Sequence, residues 1–455
     1  MRILSINPSN NQQIHEYEPH DEKDIDKALG LAHITKTSWR ETVFSERNAL
    51  FVKLSELLQN QKDEIARLIT NEMGKTIKES RSEIEKCAWL CKYYSENGER
   101  FLENEIIKTE SSKSYVHYEP MGAILGIMPW NFPLWQVFRF AVPSLLGGNV
   151  AILKHASNVS GCALKIEELF SKAGFPIGCF QTLLIDSDAV SNIIADKRIS
   201  AVTLTGSTSA GKAVAAQAGA HLKKTVLELG GSDPYIILKD ADLDQAVESC
   251  VNSRLLNAGQ SCIAAKRFIV EEPVYDTFLS AMKSKMESIK MGDPFSEETD
   301  IGPQAREDLR NKLHKQVQMG LIEGGRKVLG CKIPVSDGFY YPPSIVADVQ
   351  SDNPLFKEEV FGPVAVVIKA TDEKHAIELA NDSDFGLGAA IFTSDLDKGD
   401  KLASKFIQAG SVCINDFVKS DPRLPFGGIK HSGYGRELSY FGMREFQNIK
   451  TIVLK

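Results

Sequence analysis

Long apolar runs are scarce in this chain of 455 residues, and none reaches the ~20 residues that a membrane-spanning helix needs. The opening Met1-Arg-Ile-Leu-Ser soon turns polar and acidic and lacks the apolar stretch of a secretory signal, so a cytoplasmic location is expected. Excess positive charge is missing too. A net charge of -7, spread along the chain, gives no field for nucleic acid or an anionic membrane, so neither is expected as a partner. The eight cysteines, at 87, 91, 162, 179, 250, 262, 331 and 413, form no CxxC pair and have no histidine cluster beside them. That excludes the usual zinc patterns and a disulfide framework, and no metal is expected. Internal repeats and low-complexity linkers are also lacking.

What remains is ordinary globular material, 43% hydrophobic and 25% charged. The length exceeds what one simple core accommodates, so two or more packed domains are expected. The first hundred residues read as helices, with Leu54, Leu57, Leu58, Ile65, Leu68 and Ile69 at helical spacing and a break at Gly74. From about 115 short apolar runs appear: Ala123–Met128, Val150–Leu153, Gln181–Ile185, Ala201–Thr205, Thr225–Leu229 and Tyr235–Leu238. Helical stretches at 134–146, 161–173, 189–195 and 209–220 separate several of them. This alternation is the signature of a parallel sheet covered on both faces, whose ligands bind at the carboxyl ends of the strands. A second α/β series runs from Phe268–Val270 to Gly410–Ile414, and the chain closes on a strand-like tail, 449–454.

Four segments carry chemistry. Asn257-Ala-Gly-Gln-Ser-Cys262 presents a thiol after a small polar turn, a setting for a nucleophile, although a lone loop cysteine is more often inert. Val226-Leu-Glu228-Leu-Gly-Gly ends a β-like run on a carboxylate, which an apolar setting would tune as a general base. Met128-Pro-Trp-Asn131-Phe-Pro holds an amide between two prolines, fixed as a donor to an oxyanion or, equally, as a cap in a rigid turn. Leu204-Thr-Gly206-Ser-Thr-Ser-Ala-Gly211 turns from strand into helix, and such an N-terminus can face a pyrophosphate, although the segment lacks GxGxxG.

Together with Glu359-Val-Phe-Gly-Pro and Pro425-Phe-Gly-Gly, in this order and spacing, these segments identify a chain that resembles the aldehyde dehydrogenase superfamily over essentially its full length. The resemblance implies an α/β fold of two Rossmann-like parallel-sheet domains with a small β-extension for oligomerisation. The implied division is 1–107 and 121–229 for the cofactor-binding domain, 230–425 for the catalytic domain, and 108–120 with 441–455 for the extension. A homodimer or homotetramer follows from it. Cys262 would attack an aldehyde, Asn131 and the Cys262 N–H would hold the oxyanion, and Glu228 would activate the water that releases a free acid. Trp130, Gly206, Ser207 and Leu229 would line the cofactor cleft, Glu359 would hold the nicotinamide ribose, and Phe361 would pack beside it.

Lys154 and Ser157 follow the strand at 150–153. In many NAD-preferring members of the superfamily the position of Ser157 is a glutamate that repels a 2′-phosphate. A serine beside a lysine is therefore expected to admit NADP in preference, with NAD possible. Asn131, Trp135 and Arg139 share one helical face, so an arginine would line the substrate tunnel and favour an aldehyde with a distal carboxylate. The chain is similar here to succinate-semialdehyde dehydrogenases of the short-chain bacterial type, which also carry Arg at this spacing, and Ser420 would add a hydrogen bond. A second arginine common in that group, six residues before the nucleophile, is Leu256 here; Arg254, two positions earlier, points elsewhere on a helix. The competing readings are an aldehyde dehydrogenase for another short semialdehyde or aliphatic aldehyde, and a non-catalytic scaffold that kept the fold.

Overall fold

The computed structural model describes residues 2–455. Two large sheets organise it. The first runs in the order Gly433–Tyr434, Lys224–Glu228, Ile199–Thr205, Ala123–Met128, Val150–His155 and Phe180–Thr182, parallel except for its first strand. The second runs Arg326–Leu329, Ser344–Ala347, Val364–Ala370, Arg267–Glu271, Pro234–Ile237, Gly388–Phe392 and Ser411–Ile414, again parallel except for its first strand. Strands buried on both faces explain the continuous apolar runs. Tyr235 and Ile237 pack into one core while Ile236 and Leu238 pack into the other, as a period of two requires.

The helices Glu22–Glu41, Phe44–Asn60, Lys62–Met73 and Ile77–Phe101 pack over the first sheet. They do not begin the chain: Ile3–Asn7 and Gln12–Tyr17 form an antiparallel hairpin, which corrects the expectation of helices throughout the first hundred residues. The hairpin's alternation is masked because most of its side chains are exposed or half-buried; only Ser5 is fully buried, bonded to Glu72 Oε1 at 2.9 Å. The expected strand at 181–185 is also shorter, ending at Thr182.

Every side chain of the helix Trp135–Leu146 is buried. It crosses the first sheet closely, because Gly126 leaves room for the Phe140 ring where any side chain would collide with it. No residue of this helix's own turn caps its start; the cap comes from Glu83 on the helix Ile77–Phe101, whose Oε1 accepts the N–H groups of Leu134 at 2.8 Å and Trp135 at 2.9 Å. A third small sheet pairs Gln447–Leu454 with Lys113–Pro120 and Glu105–Ile106.

The two large sheets present opposite ends to the cleft between them. In the first, the loops after Met128, Thr205 and Glu228 lie at carboxyl ends. In the second, Cys262 precedes the strand Arg267–Glu271 and Glu359 precedes Val364–Ala370, so the amino-terminal ends face inward. No described helix is long and apolar enough to cross a membrane.

Candidate active site

Cys262 stands where two cavities meet. One, of about 520 Å³, is lined by Trp130, Asn131, Gly206, Ser207, Leu229, Glu359 and Phe361. The other, of about 280 Å³, is lined by Trp135, Arg139, Phe417, Ser420 and Phe426. Both include Cys262 and Gln136. Six of the other cysteines are buried and Cys413 is half-buried outside both cavities, so Cys262 alone meets the cleft.

The loop that carries Cys262 is strained. Asn257 and Ala258 hold φ of 56° and 52°, and Gly259 follows at 74°. Left-handed backbone costs a non-glycine residue roughly 1–2 kcal/mol, and such strain persists only where the surroundings over-determine it. Here they do. Glu79 Oε1 accepts the Asn257 N–H at 2.6 Å, Gln304 donates to the Ala258 carbonyl at 3.1 Å, and Arg254 Nη2 donates to the Gly259 carbonyl at 2.6 Å. Gly259 is required because its Cα packs on the Gly362 carbonyl. In the same loop, the buried Lys266 Nζ donates to the carbonyls of Ser261 at 3.2 Å, Cys262 at 2.6 Å and Ala264 at 3.2 Å.

Asn131 is locked against this loop. Its Nδ2 donates to the Gln260 carbonyl at 3.0 Å, and Asn257 Nδ2 donates to the Asn131 carbonyl at 2.7 Å. An amide has two N–H donors, so one remains for a ligand. The Cys262 N–H donates to no acceptor among the described residues. Burial pushes the Cys262 thiol up to about 12, against the pull of Arg139 and Lys266. The resting thiol is therefore neutral and needs a proton acceptor before it attacks.

Glu228 ends its strand fully buried, and neither carboxyl oxygen has a hydrogen-bond partner. Burial, then the charge of Glu437, hold its carboxyl well above the usual range. It lies against Gly427, where a Cβ would come 2.7 Å from Oε1, and does not form a wall of either cavity. Arg139 is paired at Nε with the buried Glu437 at 2.7 Å and stacks 4.6 Å over Phe426. Its Nη2 has no hydrogen-bond partner. At the same end of the smaller cavity, Ser420 Oγ accepts from Trp135 Nε1 at 3.0 Å and from Lys86 Nζ at 2.8 Å. With both lone pairs taken, its hydroxyl can only donate. Arg254 lines neither cavity, while Leu256 lines the smaller one.

On the wall of the larger cavity, Glu359 Oε1 accepts the Gly231 N–H at 3.0 Å and lies 3.7 Å from Lys266 Nζ. Its Oε2 sits where a side chain at Gly230 would be, a close approach only glycine allows. Trp130 and Phe361 meet edge to face at 5.9 Å. Ser207 caps the helix Thr208–Ala220 through Ala210 N at 3.3 Å, leaving an N-terminus beside the cavity. Lys154 and Ser157 lie at the end of the strand Val150–His155, outside the cavity wall; Ser157 is exposed and Lys154 half-buried with no ion partner among the described residues.

A profile of the aldehyde dehydrogenase family matches residues 1–452. The chain belongs to that family. A relative from Synechocystis sp., a probable succinate-semialdehyde dehydrogenase [NADP(+)], is 47% identical over 99% of both chains. The succinate semialdehyde dehydrogenase [NAD(P)+] Sad of Escherichia coli is 48% identical over 99% of this chain and 97% of its own. Among solved structures, succinic semialdehyde dehydrogenase from Streptococcus pyogenes in complex with NADP+ superposes with a TM-score of 0.97, at 39% identity and 99% coverage of both chains.

In this aldehyde dehydrogenase, the residues that the sequence did not reveal sit on one helix and under one loop. Glu79, Glu83 and Lys86 fall at i, i+4 and i+7 of Ile77–Phe101, on the face turned to the smaller cavity. Glu83 binds Lys75 Nζ at 2.6 Å, and Lys75 in turn lies 3.9 Å over the Phe132 ring. The available signal was a charge in the buried stripe: Glu83 shares the phase of Ser80, Ile84 and Cys87. Lys266 and Glu437 gave no such signal, because each follows a glycine- or alanine-rich loop where a charge reads as solvated.

Proposed function

We propose that this enzyme oxidises succinic semialdehyde to succinate with NADP+, through Cys262. The observation that carries the substrate is the lining of the smaller cavity, where Arg139, whose buried Nη2 has no hydrogen-bond partner, stands with Ser420, whose hydroxyl is committed to donating. A carboxylate accepts from both. The similarity to a probable succinate-semialdehyde dehydrogenase of Synechocystis and to the succinate semialdehyde dehydrogenase Sad of Escherichia coli supports the same reading.

The larger cavity fits a nicotinamide dinucleotide: Glu359 Oε2 is left free beside Gly230, and a helix N-terminus follows Gly206 and Ser207. Trp130, Leu229 and Phe361 would flank it, with Glu359 on a ribose. Lys154, without an ion partner, and the exposed Ser157 would take the 2′-phosphate, since neither repels it. NADP-linked relatives support that preference, with NAD as a secondary cofactor. When bound, NADP+ supplies the hydride acceptor.

Cys262 gives up its thiol proton to solvent in the cleft, and the Sγ thiolate adds to the aldehyde carbon to form the thiohemiacetal anion. Its oxyanion is held by the spare Asn131 Nδ2 donor and the free Cys262 N–H. After oxidation to the thioester, Glu228 takes a proton from the water that attacks it, and the acid leaves. Because Glu228 is buried against Gly427, where burial favours its protonated form, its carboxyl must turn toward Cys262 and lose that proton before it acts as the base. Residues 1–107 and 121–229 would serve cofactor binding, 230–425 catalysis, and 108–120 with 441–455 assembly into a homo-oligomer in the cytoplasm.

The test compares Arg139→Ala with wild type on succinic semialdehyde and on butanal, an uncharged aldehyde of the same carbon count. The expected loss in kcat/KM is greater on the charged substrate by at least about tenfold. Equal losses on both would remove Arg139 from carboxylate recognition and favour an uncharged aldehyde.

A further inference from the structure

Besides Arg139 the smaller cavity is lined by Lys78, Lys86 and Lys419; Lys78 and Lys419 face Asp300 and Asp416, and Lys86 has a role that neither the sequence patterns nor the reaction chemistry has assigned. Lys86 projects from the helix Ile77–Phe101, and its Nζ lies 2.8 Å from Ser420 Oγ and 4.4 Å from the centre of the Trp135 ring. It lines the cavity together with Arg139 and Cys262. It has no counter-ion among the described residues. The acidic groups around it are engaged elsewhere: Glu83 with Lys75 at 2.6 Å, Asp421 with Arg423 at 2.6 Å, Glu437 with Arg139 at 2.7 Å, and Glu79 with the Thr76 hydroxyl at 2.9 Å and the Asn257 N–H at 2.6 Å.

A half-buried ammonium without a counter-ion is unfavourable unless something anionic joins it. The ring of Trp135 compensates in part, and the Ser420 oxygen gives one hydrogen bond. An ammonium has three donors, so further donors remain for the cavity. The bond to Ser420 has a second effect: it fills one lone pair of Oγ, and so helps turn the hydroxyl outward as a donor. Lys86, Ser420 and Arg139 therefore line one cavity with Cys262, and Lys86 and the Ser420 hydroxyl keep donors for a ligand in it.

We infer that Lys86 is a specificity-determining residue, binding the distal carboxylate of the aldehyde beside Arg139. This rests on the semialdehyde reading given above. It also accounts for Leu256: the position from which related enzymes present an arginine is apolar here, and the charge arrives from a different helix. Because Arg139 is paired with Glu437, the cation of this cavity without a counter-ion among the described residues is Lys86.

A consequence for pH follows. Burial, with Arg139 adding to it, lowers the free Lys86 ammonium to about 8, against smaller opposing effects of Cys87, Asp421 and Glu83. Only the charged form attracts a carboxylate. KM for the charged aldehyde should therefore rise as pH passes about 8, and KM for an uncharged one should not.

The experiment measures kcat/KM for succinic semialdehyde and butanal, with NADP+, in wild type, Lys86→Met and Lys86→Arg. Methionine keeps the stem and removes the charge. The expected result is that Lys86→Met loses at least about tenfold more on succinic semialdehyde than on butanal, mostly in KM, and that Lys86→Arg recovers most of it and moves the KM rise to higher pH. Equal losses on both aldehydes, or an unchanged ratio, would overturn the inference. Wild type separates the two ideas: if it already prefers butanal, the semialdehyde reading fails; if it prefers succinic semialdehyde and Lys86→Met retains the preference, only the role of Lys86 fails.

Discussion

The thiol of Cys262 is kept neutral by its own burial, to a pKa of about 12, although Arg139 and Lys266 both pull the other way. Its thiolate fraction should grow about tenfold per pH unit below that value. Alkylation of the cofactor-free enzyme by iodoacetamide should rise in that proportion from neutral to moderately alkaline pH without levelling; a plateau near neutrality would show a thiol activated in the resting state. Glu228 carries the complementary expectation. Its folded-state pKa is raised above 4.5, so the folded chain keeps a proton that the unfolded chain loses. Stability falls as pH rises through that window. Glu228→Gln should therefore gain melting temperature over wild type as pH moves from acid to neutral. The same variant should release a stoichiometric burst of reduced cofactor and then stall, because the thioester forms and is not hydrolysed; steady turnover at the wild-type rate would contradict the assigned base. At the cofactor edge, Ser157→Glu should raise KM for NADP+ by about tenfold or more and leave NAD+ nearly unaffected, as initial rates with each cofactor would report.

Among the elements, the helix Ile77–Phe101 does more than cover the first sheet. Glu83 holds the start of Trp135–Leu146, which carries Arg139, and Glu79 holds the left-handed Asn257 ahead of Cys262. One face of one helix thus fixes both sides of the site. Glu83→Gln leaves Lys75 buried without a counter-ion, which costs about 3–5 kcal/mol for such pairs. A large drop in melting temperature together with a loss of kcat is expected, and a stability unchanged from wild type would sink the clamp. At this scale the sequence was readable where one period dominated. The strands at 123–128 and 364–368 and the helix at 161–173 announce themselves by unbroken apolar phase. The hairpin at 3–17 does not, because it buries so little that no alternation shows. Expecting ligands at carboxyl ends of strands pointed to Asn131 and Gly206, which line the larger cavity, and to Glu228, which lines neither. Cys262 and Glu359 came from motif alone, since the second sheet turns its amino-terminal ends to the cleft. Lys86 and Lys266 needed three dimensions, because their partners at Ser420 and at the Cys262 carbonyl come from packing, not from spacing.

Over the whole molecule, the small sheet is left with an open side. The strand Gln447–Leu454 pairs with Lys113–Pro120 on one edge only, and Ile449 and Val453, on the same face, are 67% and 58% exposed. A free edge with apolar side chains invites a second copy of the chain. Ile449→Lys with Val453→Lys should lower the sedimenting mass, and a mass equal to wild type would contradict an assembly through this edge. The fold as a whole sets Cys262 where two cavities meet, one of them lined by Arg139, Lys86 and Ser420, and that arrangement makes one claim about substrate. The most direct measurement is the rate of NADP+ reduction by the wild-type enzyme with succinic semialdehyde against butanal, with the product identified. A kcat/KM higher by at least about tenfold for succinic semialdehyde, and succinate as product, is expected. Equal or greater activity on butanal, or no reduction with either aldehyde, would contradict it.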